Sequence, residues 1–264
     1  MPAGNDTAFE AVARAYELLV NEETRWERER DFHVQLIQES IGPTRSMREA
    51  AVLDLGCGTG FHARHLAGSH GVARVVGVDP SASMLQVAAG KEHGDRVTWL
   101  KGAAETPPLP REIDRYDTVM LMGNTFSLIK YVHPVLDALA AVTRPAGGRF
   151  VIQMIDYDRL RGLGPQVTER SSSECRIIKH LKPIAGADSG QPGIRVGAEL
   201  SIEVQSVSDG RTLDRQQNVL YEHPEAEWAE SADKAGWSII QRRAGYGPDP
   251  TVGIDRIFIL QRKA

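Results

Sequence analysis

The chemistry of this chain is concentrated in VLDLGCGTG (52–60), which carries Asp54, Gly56, Gly58 and Gly60, and in Asp79, which closes RVVGVD (74–79). An apolar run ending in an acidic residue and alternating glycines predicts a buried strand that turns sharply into a helix. Glycine lets that turn approach a ligand without a Cβ in the way. The helix N-terminus beyond it favours negative charge, such as the carboxylate of an amino-acid tail. An acidic side chain at the end of the next strand can accept hydrogen bonds from both ribose hydroxyls of an adenosine. The nicotinamide-dinucleotide fingerprint requires a glycine three residues after its second, and Phe61 stands there, so the loop fails that pattern.

Other reactive residue types form no such constellation. His62 and His65 are three apart on an expected helix with no third ligand nearby in sequence, so a solvated helix face is expected and no metal site. Cys57 has no base paired with it and is read as filling a small loop position. WERERD (26–31) reads as a charged helical face, and Trp26, Trp99, Trp228 and Trp237 as core or staple residues.

The elements that must position the loop follow from hydrophobic spacing. Thr7 and Glu10 fit a capping box, and Phe9, Val12, Ala13, Tyr16, Leu19 and Val20 continue at helical spacing. A second helix runs from about Glu22 and stops before Gly42-Pro43. Short apolar runs then alternate with helical stretches: 50–55, 74–79, 96–100, 116–122 and 149–154 as strands, 60–69, 81–90 and 130–143 as helices. That alternation predicts a doubly wound α/β fold with a mostly parallel sheet covered on both faces. Beyond 156 the pattern changes to strands at 175–182, 194–207 and 212–222, with Ser208-Asp209-Gly210-Arg211 as a hairpin turn. A helix over 224–235 and a strand pair at 238–243 and 256–262 close the chain. The expected division is an N-terminal helical segment (1–49), a ligand-binding core (50–156 and 223–264) and an antiparallel β insertion (157–222) after the fifth strand.

The bulk properties narrow the classes. With 264 residues, 41% hydrophobic and 25% charged, the chain has the composition of a globular protein. A net charge of −4 lacks the basic surplus of most nucleic-acid binders, and no nucleic-acid partner is expected. The polar start MPAGNDTAFE is not a secretory signal, no apolar stretch spans a bilayer, and two cysteines make no disulfide framework. The expected location is the cytoplasm, away from membranes; the oligomeric state is left open.

DLGCGTG, VVGVDPSASML (75–85), GAAETPPLP (102–110) and YDTVMLMGNTF (116–126) together resemble the successive motifs of class I S-adenosylmethionine (SAM) dependent methyltransferases. The resemblance implies a Rossmann-like, mostly parallel seven-stranded sheet and SAM as methyl donor, S-adenosylhomocysteine being the product. It implies that Asp54, Gly56, Gly58 and Gly60 line the methionine portion and that Asp79 holds the ribose. Met84, or the Pro80-Ser81 stretch, would contact the adenine face, Ala104 and Glu105 its edge, and Met122 would close the cofactor site. The family often has an acidic residue just before that alanine, where this chain has Ala103.

A narrower resemblance concerns the acceptor. Gly123-Asn124-Thr125-Phe126, Asp156-Tyr157-Asp158, VLYEHPEAEW (219–228) and Thr24-Arg25 resemble segments of the glycine/sarcosine N-methyltransferases. This implies transfer to an amine nitrogen of a small-molecule acceptor. Methyl transfer from a sulfonium is an in-line displacement that chiefly needs alignment and exclusion of water. Asn124 can orient a polar acceptor, and Tyr16, Tyr157 and Tyr221 can line the methyl path. Arg25, or else Arg28, can bind the SAM carboxylate, and Arg176 or Arg195 a substrate carboxylate. Each has a plainer reading: Tyr16 as packing, and Arg25 and Arg28 as surface ion pairs with neighbouring glutamates. Oxygen or carbon methylation, and a non-catalytic SAM-binding scaffold, are the alternatives.

Overall fold

The computed structural model describes residues 10–188, 194–253 and 255–264. Thr7 and Phe9, named above for a cap and a helix face, lie outside the described residues. The N-terminal part holds α1 (Glu10–Ala15), a tight 3-10 turn (Tyr16–Leu18) and α2 (Glu22–Ile41). Asn21 caps α2, its side chain accepting from the Thr24 N–H at 3.3 Å. Gly42, at φ 75°, ends the helix where the sequence places its stop.

The core alternates β1 (Ala51–Leu55), α3 (Phe61–Ser69), β2 (Arg74–Asp79), α4 (Ala82–Gly90), β3 (Val97–Lys101), β4 (Thr118–Leu121), α5 (Val132–Val142) and β5 (Arg149–Ile155). Then come α6 (Tyr157–Leu163), β6 (Gln166–Ser171), β7 (Cys175–Asp188), β8 (Arg195–Ser206) and β9 (Thr212–Glu222). The chain closes with α7 (Glu225–Lys234), β10 (Trp237–Arg243) and β11 (Asp255–Arg262). The main sheet has seven strands in the order β10-β11-β5-β4-β1-β2-β3. Strands β1 to β5 pair in parallel, while β11 runs antiparallel to both β5 and β10.

Strict alternation along the buried strands feeds two cores. Leu53, Leu55, Phe150, Ile152, Phe258 and Leu260 face α5 and α7. Val52, Val151, Ile257 and Ile259 face α2 and α3. Trp228 and Trp237 lie in the first core, Trp26 in the second, and half-buried Trp99 packs against it. Each large side chain buried this way contributes roughly 1.5–3 kcal/mol, so both faces of the sheet are held firmly behind the loops at its edge.

The antiparallel insertion forms a second sheet of four strands in the order β6-β7-β8-β9. It opens with α6 and β6, neither of which the apolar pattern predicts: β6 reads QVTERS and is largely exposed. This sheet is tied to the core in two places. At one end Ile177, Ile202 and Val204 meet Val12 and Ala13 of α1 and Met84 of α4. At the other, Ala198 and Leu220 pack with Tyr157 and Leu160 of α6 and, through this cluster, with Ile155 at the end of β5. The Val12 N–H also donates to Asp214 Oδ2 at 3.0 Å.

Candidate functional site

The strand order reverses between β1 and β4, so the loops after these two strands part and leave a crevice at the carboxyl edge. On one side runs the glycine loop. Gly56 and Cys57 donate backbone N–H bonds to Val78 O at 2.7 and 3.0 Å. Gly56 and Gly60 have φ of +66° and +77°, and a Cβ on them would collide with Thr125 and with the Trp99 ring respectively. Glycine is therefore required there both by backbone conformation and by packing.

Asp79 stands beside this loop. Its Oδ2 accepts the Gly58 N–H at 2.9 Å and its Oδ1 the Ser81 N–H at 2.9 Å. Burial raises its pKa, and these two N–H groups oppose the rise. Each oxygen keeps a free lone pair, so the carboxylate can still accept two hydroxyls. Asp54 is more deeply set. One oxygen takes the Ala63 N–H, and Oδ2 is buried without a partner. Burial, with the nearby Asp79 charge adding to it, pushes the Asp54 carboxyl up to about 7. An orphaned acidic oxygen beside a glycine loop suits a ligand that brings an ammonium group. The Cys57 thiol is raised by burial and by these two carboxylates, so it stays an inert thiol.

The other cofactor candidates are scattered more widely. Met84 is buried against α1 and the insertion, and Met122 lies in the α2/α3 core. Pro80 and Glu105 are exposed, with Ala104 half-buried between Leu100 and the main core. Tyr16 is half-buried, and its hydroxyl is raised by burial in a field shared by Arg25 and Asp79. It packs against the α1 cluster.

Arg25 and Arg28 do pair with a neighbouring glutamate, but with a buried one, Arg25 being half-buried and Arg28 exposed. Both reach one carboxylate, Glu29 Oε1, at 2.9 Å each, and Glu29 is completely buried. His62 Nε2 donates to Glu29 Oε2 at 2.9 Å, and His33 Nε2 lies 3.7 Å from it. The expectation of a solvated face for His62 is therefore corrected, and within WERERD so is that for Glu29, while Glu27, Arg28, Arg30 and Asp31 keep the charged, exposed face and Trp26 joins the core as read. Helical spacing turns Trp26, Glu29 and His33 inward against α3, and His65 stacks on Trp26 at 4.7 Å between ring centres. The ligand atoms of Glu29, His33 and His62 lie within 4.8 Å of one another. The positive charge that a metal ion would bring there is already supplied by the two guanidiniums. Neither His33 ring nitrogen has a partner within hydrogen-bond distance, so its tie to Glu29 is the longer 3.7 Å contact, supported by packing.

On the β4 side, Asn124 adopts a left-handed conformation with φ 69°. Its Oδ1 accepts from Ser127 Oγ at 2.8 Å and from the Ile155 N–H at 3.0 Å, and its own N–H donates to Gln153 Oε1 at 3.0 Å. The amide oxygen thus binds the β4 loop to the end of β5. Buried Tyr157 donates its hydroxyl to Tyr221 O at 3.2 Å, and burial raises its pKa to about 12. Half-buried Tyr221 lies 6.5 Å from the His223 ring, and His223 bonds Ile129 O at 2.8 Å.

The two arginines expected to clamp a substrate carboxylate are not brought to the crevice. Arg176 pairs with Glu169 at 2.7 Å and Arg195 with Glu227 at 2.8 Å, all on exposed side chains. The reason is the two-residue period of a strand. On β7 it is Ile177 that turns inward, and Arg176 must point away. The inward cation that the sequence reading missed is Lys179, two residues beyond Ile177. The parity of Ile177 and Leu181 is the signal that points to it.

Strand order, glycine loop and acidic strand end together give the Rossmann-like fold of the class I SAM-dependent methyltransferases. Residues 52–147 match the family described as "Methyltransferase domain". A tRNA U34 carboxymethyltransferase from Shewanella denitrificans is 34% identical over 155 residues, which are 54% of this chain and 42% of the relative. The chain thus spans less than half the length of the curated relative it matches. A SAM-dependent methyltransferase from Clostridium acetobutylicum superposes with TM-score 0.71 at 15% identity, covering 97% of this chain and 99% of that one. The SAM-bound amino pentose methyltransferase CalS10 from Micromonospora echinaspora gives TM-score 0.57 at 18% identity, covering 88% and 92%.

These likenesses correct one expectation. Nucleic acid was set aside because of the net charge, yet the relative at 34% identity is named for work on tRNA. Net charge averages over the whole surface and does not exclude a local site for a polyanion. Among the described residues no helix is long and apolar enough to cross a membrane.

Proposed function

We propose that this chain transfers a methyl group from SAM to an amine nitrogen of an acceptor held between the carboxyl edge of the main sheet and the inner face of the four-stranded sheet. The observation that carries the reading is the pairing of Asp79 with the glycine loop, together with the unsatisfied Asp54 oxygen beside it. The donor supplies an electrophilic sulfonium methyl. Asp79 receives its ribose hydroxyls, Gly56 to Gly60 leave room for its amino-acid tail, and Asp54 meets the ammonium of that tail. Arg25, set by Glu29, faces the tail carboxylate. Met84, Pro80, Ala104, Glu105 and Met122 border the remainder.

Asn124, Tyr157 and Tyr221 form the acceptor side, with Tyr16 above. Their task is alignment and exclusion of water, and a tyrosine held near 12 is no base at neutral pH. The acceptor amine therefore loses its proton before attack. Support for nitrogen comes from the Gly-Asn-Thr-Phe and Asp-Tyr-Asp segments, similar to glycine/sarcosine enzymes, and from the likeness to CalS10, an amino pentose methyltransferase. The tRNA relative favours a second reading, in which a nucleoside of tRNA enters the same crevice.

Release of S-adenosylhomocysteine from SAM, measured with a panel of small amines and with bulk tRNA, tests both readings. Turnover with an amine, and a methylamine product by mass spectrometry, is expected. Turnover with tRNA alone would replace the first reading by the second. Tight SAM binding with no transfer to either would leave a non-catalytic SAM-binding subunit.

A further inference from the structure

On the inner face of the four-stranded sheet the exposed Arg170 stands at the β6 edge and the partly buried Lys179 further in, and the environment of Lys179 points to what the acceptor carries. In the sheet register, Thr168, Lys179, Ile202 and Gln216 stand side by side across β6 to β9. The rows on either side are apolar at their centre: Ile177 with Val204, and Leu181 with Leu200. Ile177, Ile202 and Val204 are buried against α1 and α4, and Leu181 and Leu200 pack towards Tyr157. Lys179 therefore sits between the two apolar clusters that fasten this sheet to the core. It is only partly exposed, and among the described residues it has no hydrogen bond or ion pair. That sets it apart from Arg161, Arg176, Lys182, Arg195 and Arg215 of the same insertion, each paired with a carboxylate. Burial lowers the Lys179 pKa, and the charge of Arg25 adds to the lowering. A half-buried ammonium without a counterion has strong attraction for an anion.

We propose that Lys179 anchors an anionic group, a carboxylate or a phosphate, of the small-molecule methyl acceptor. This rests on the methyl-transfer reading above and deepens it: the substrate class becomes amines that also bear an acidic group. Gln216 and Thr168, in the same row, and Asn218, one row on, add polar side chains to that anchor. The nitrogen to be methylated then lies on the Asn124 side, across the crevice from the charge.

The test uses the full chain and two variants, Lys179→Met and Lys179→Arg, with Arg176→Met as the outward control. The first arm needs no turnover. Lysines are reductively methylated with 13C, the Lys179 resonance is assigned by its loss in Lys179→Met, and acetate or inorganic phosphate is titrated with and without S-adenosylhomocysteine. A saturating shift of this resonance with one of the two anions is expected, and it tells carboxylate from phosphate. The second arm compares glycine with glycinamide and phosphoethanolamine with ethanolamine as acceptors. The anionic member of one pair should be preferred at least tenfold in kcat/KM. Lys179→Met should erase that preference through KM, Lys179→Arg should keep most of it, and Arg176→Met should leave it intact. SAM affinity should stay within about twofold in all variants. An unmoved Lys179 resonance, an acidic preference that survives Lys179→Met, or a collapse of SAM affinity in that variant would each overturn the proposal. Failure of the unaltered chain to bind SAM would sink the methyl-transfer reading instead, while the anion titration would still report on Lys179.

Discussion

Two aspartates near the glycine loop are held in different ways, and that difference decides what each can do. Asp79 has both oxygens engaged by backbone N–H groups and retains acceptor capacity. Asp54 has an oxygen with no partner and a carboxyl pushed up to about 7, chiefly by burial. Asp79→Ala removes acceptors worth roughly 1.5–3 kcal/mol for charge-assisted bonds, so SAM affinity should fall about ten- to a hundred-fold. Calorimetry is the measurement, with the melting temperature as control. The Gly58 and Ser81 N–H groups also lose their partner, so a small drop in melting temperature should accompany the affinity loss. Unchanged SAM affinity in the folded variant would take Asp79 out of the site.

At the scale of elements, α2 and α3 are joined by a buried charge network rather than by apolar contact alone. Glu29 keeps its charge: His33, His62 and Arg25 together hold its carboxyl far below the usual range, overriding burial. His62 is held down to about 3, mainly by burial. Its folded pKa lies below its unfolded value of about 6.5. Its neutral form therefore contributes stability that is full above that value and is lost as pH falls from about 6.5 towards 3. Asp54 and Glu22 are shifted up to about 7 and act in the opposite sense over part of this window. A comparison with His62→Gln cancels them. The stability gap between wild type and variant, read by urea denaturation, should narrow by about 2 kcal/mol between pH 7 and pH 5. A gap that does not change with pH would mean that His62 titrates normally and is not enclosed.

For the whole molecule, the arrangement is a two-core sheet with α1 and the four-stranded sheet packed against α4 and the end of β5, over the crevice proposed for the ligand. A donor bound there touches elements far apart in the chain, so binding should stabilise the native state as a unit. At a hundred times Kd the gain is about 2.7 kcal/mol by mass action. For a chain of this size that raises the melting temperature by roughly 5–10 °C. SAM and S-adenosylhomocysteine should both do this in a thermal-shift measurement, and NAD should not. An equal shift with NAD would contradict the reading of Phe61 as the break in the dinucleotide pattern.

Much of this was determined by local sequence. Runs such as VLDL and RFVIQM are mostly Val, Leu, Ile and Phe without a polar residue at every second position, the pattern of a strand buried on both faces. The glycines of 56–60 and the acidic residue at 79 mark the ligand edge because backbone conformation and strand ends are set within a few residues. What the sequence could not show is which way polar side chains turn once two elements pack. Arg176 and Lys179 look equally available in RIIKHLK, and strand parity, anchored by Ile177 against α1, sends one outward and the other in. Glu29 reads as one acid among many on a charged helix until α3 brings His62 to it, 33 positions away in the chain. Asn124 reads as a free amide until Ile155 and Ser127 claim its oxygen. Helix and strand are fixed by short-range periodicity, whereas the pairing of buried charges depends on contacts between distant segments, which only the folded chain supplies.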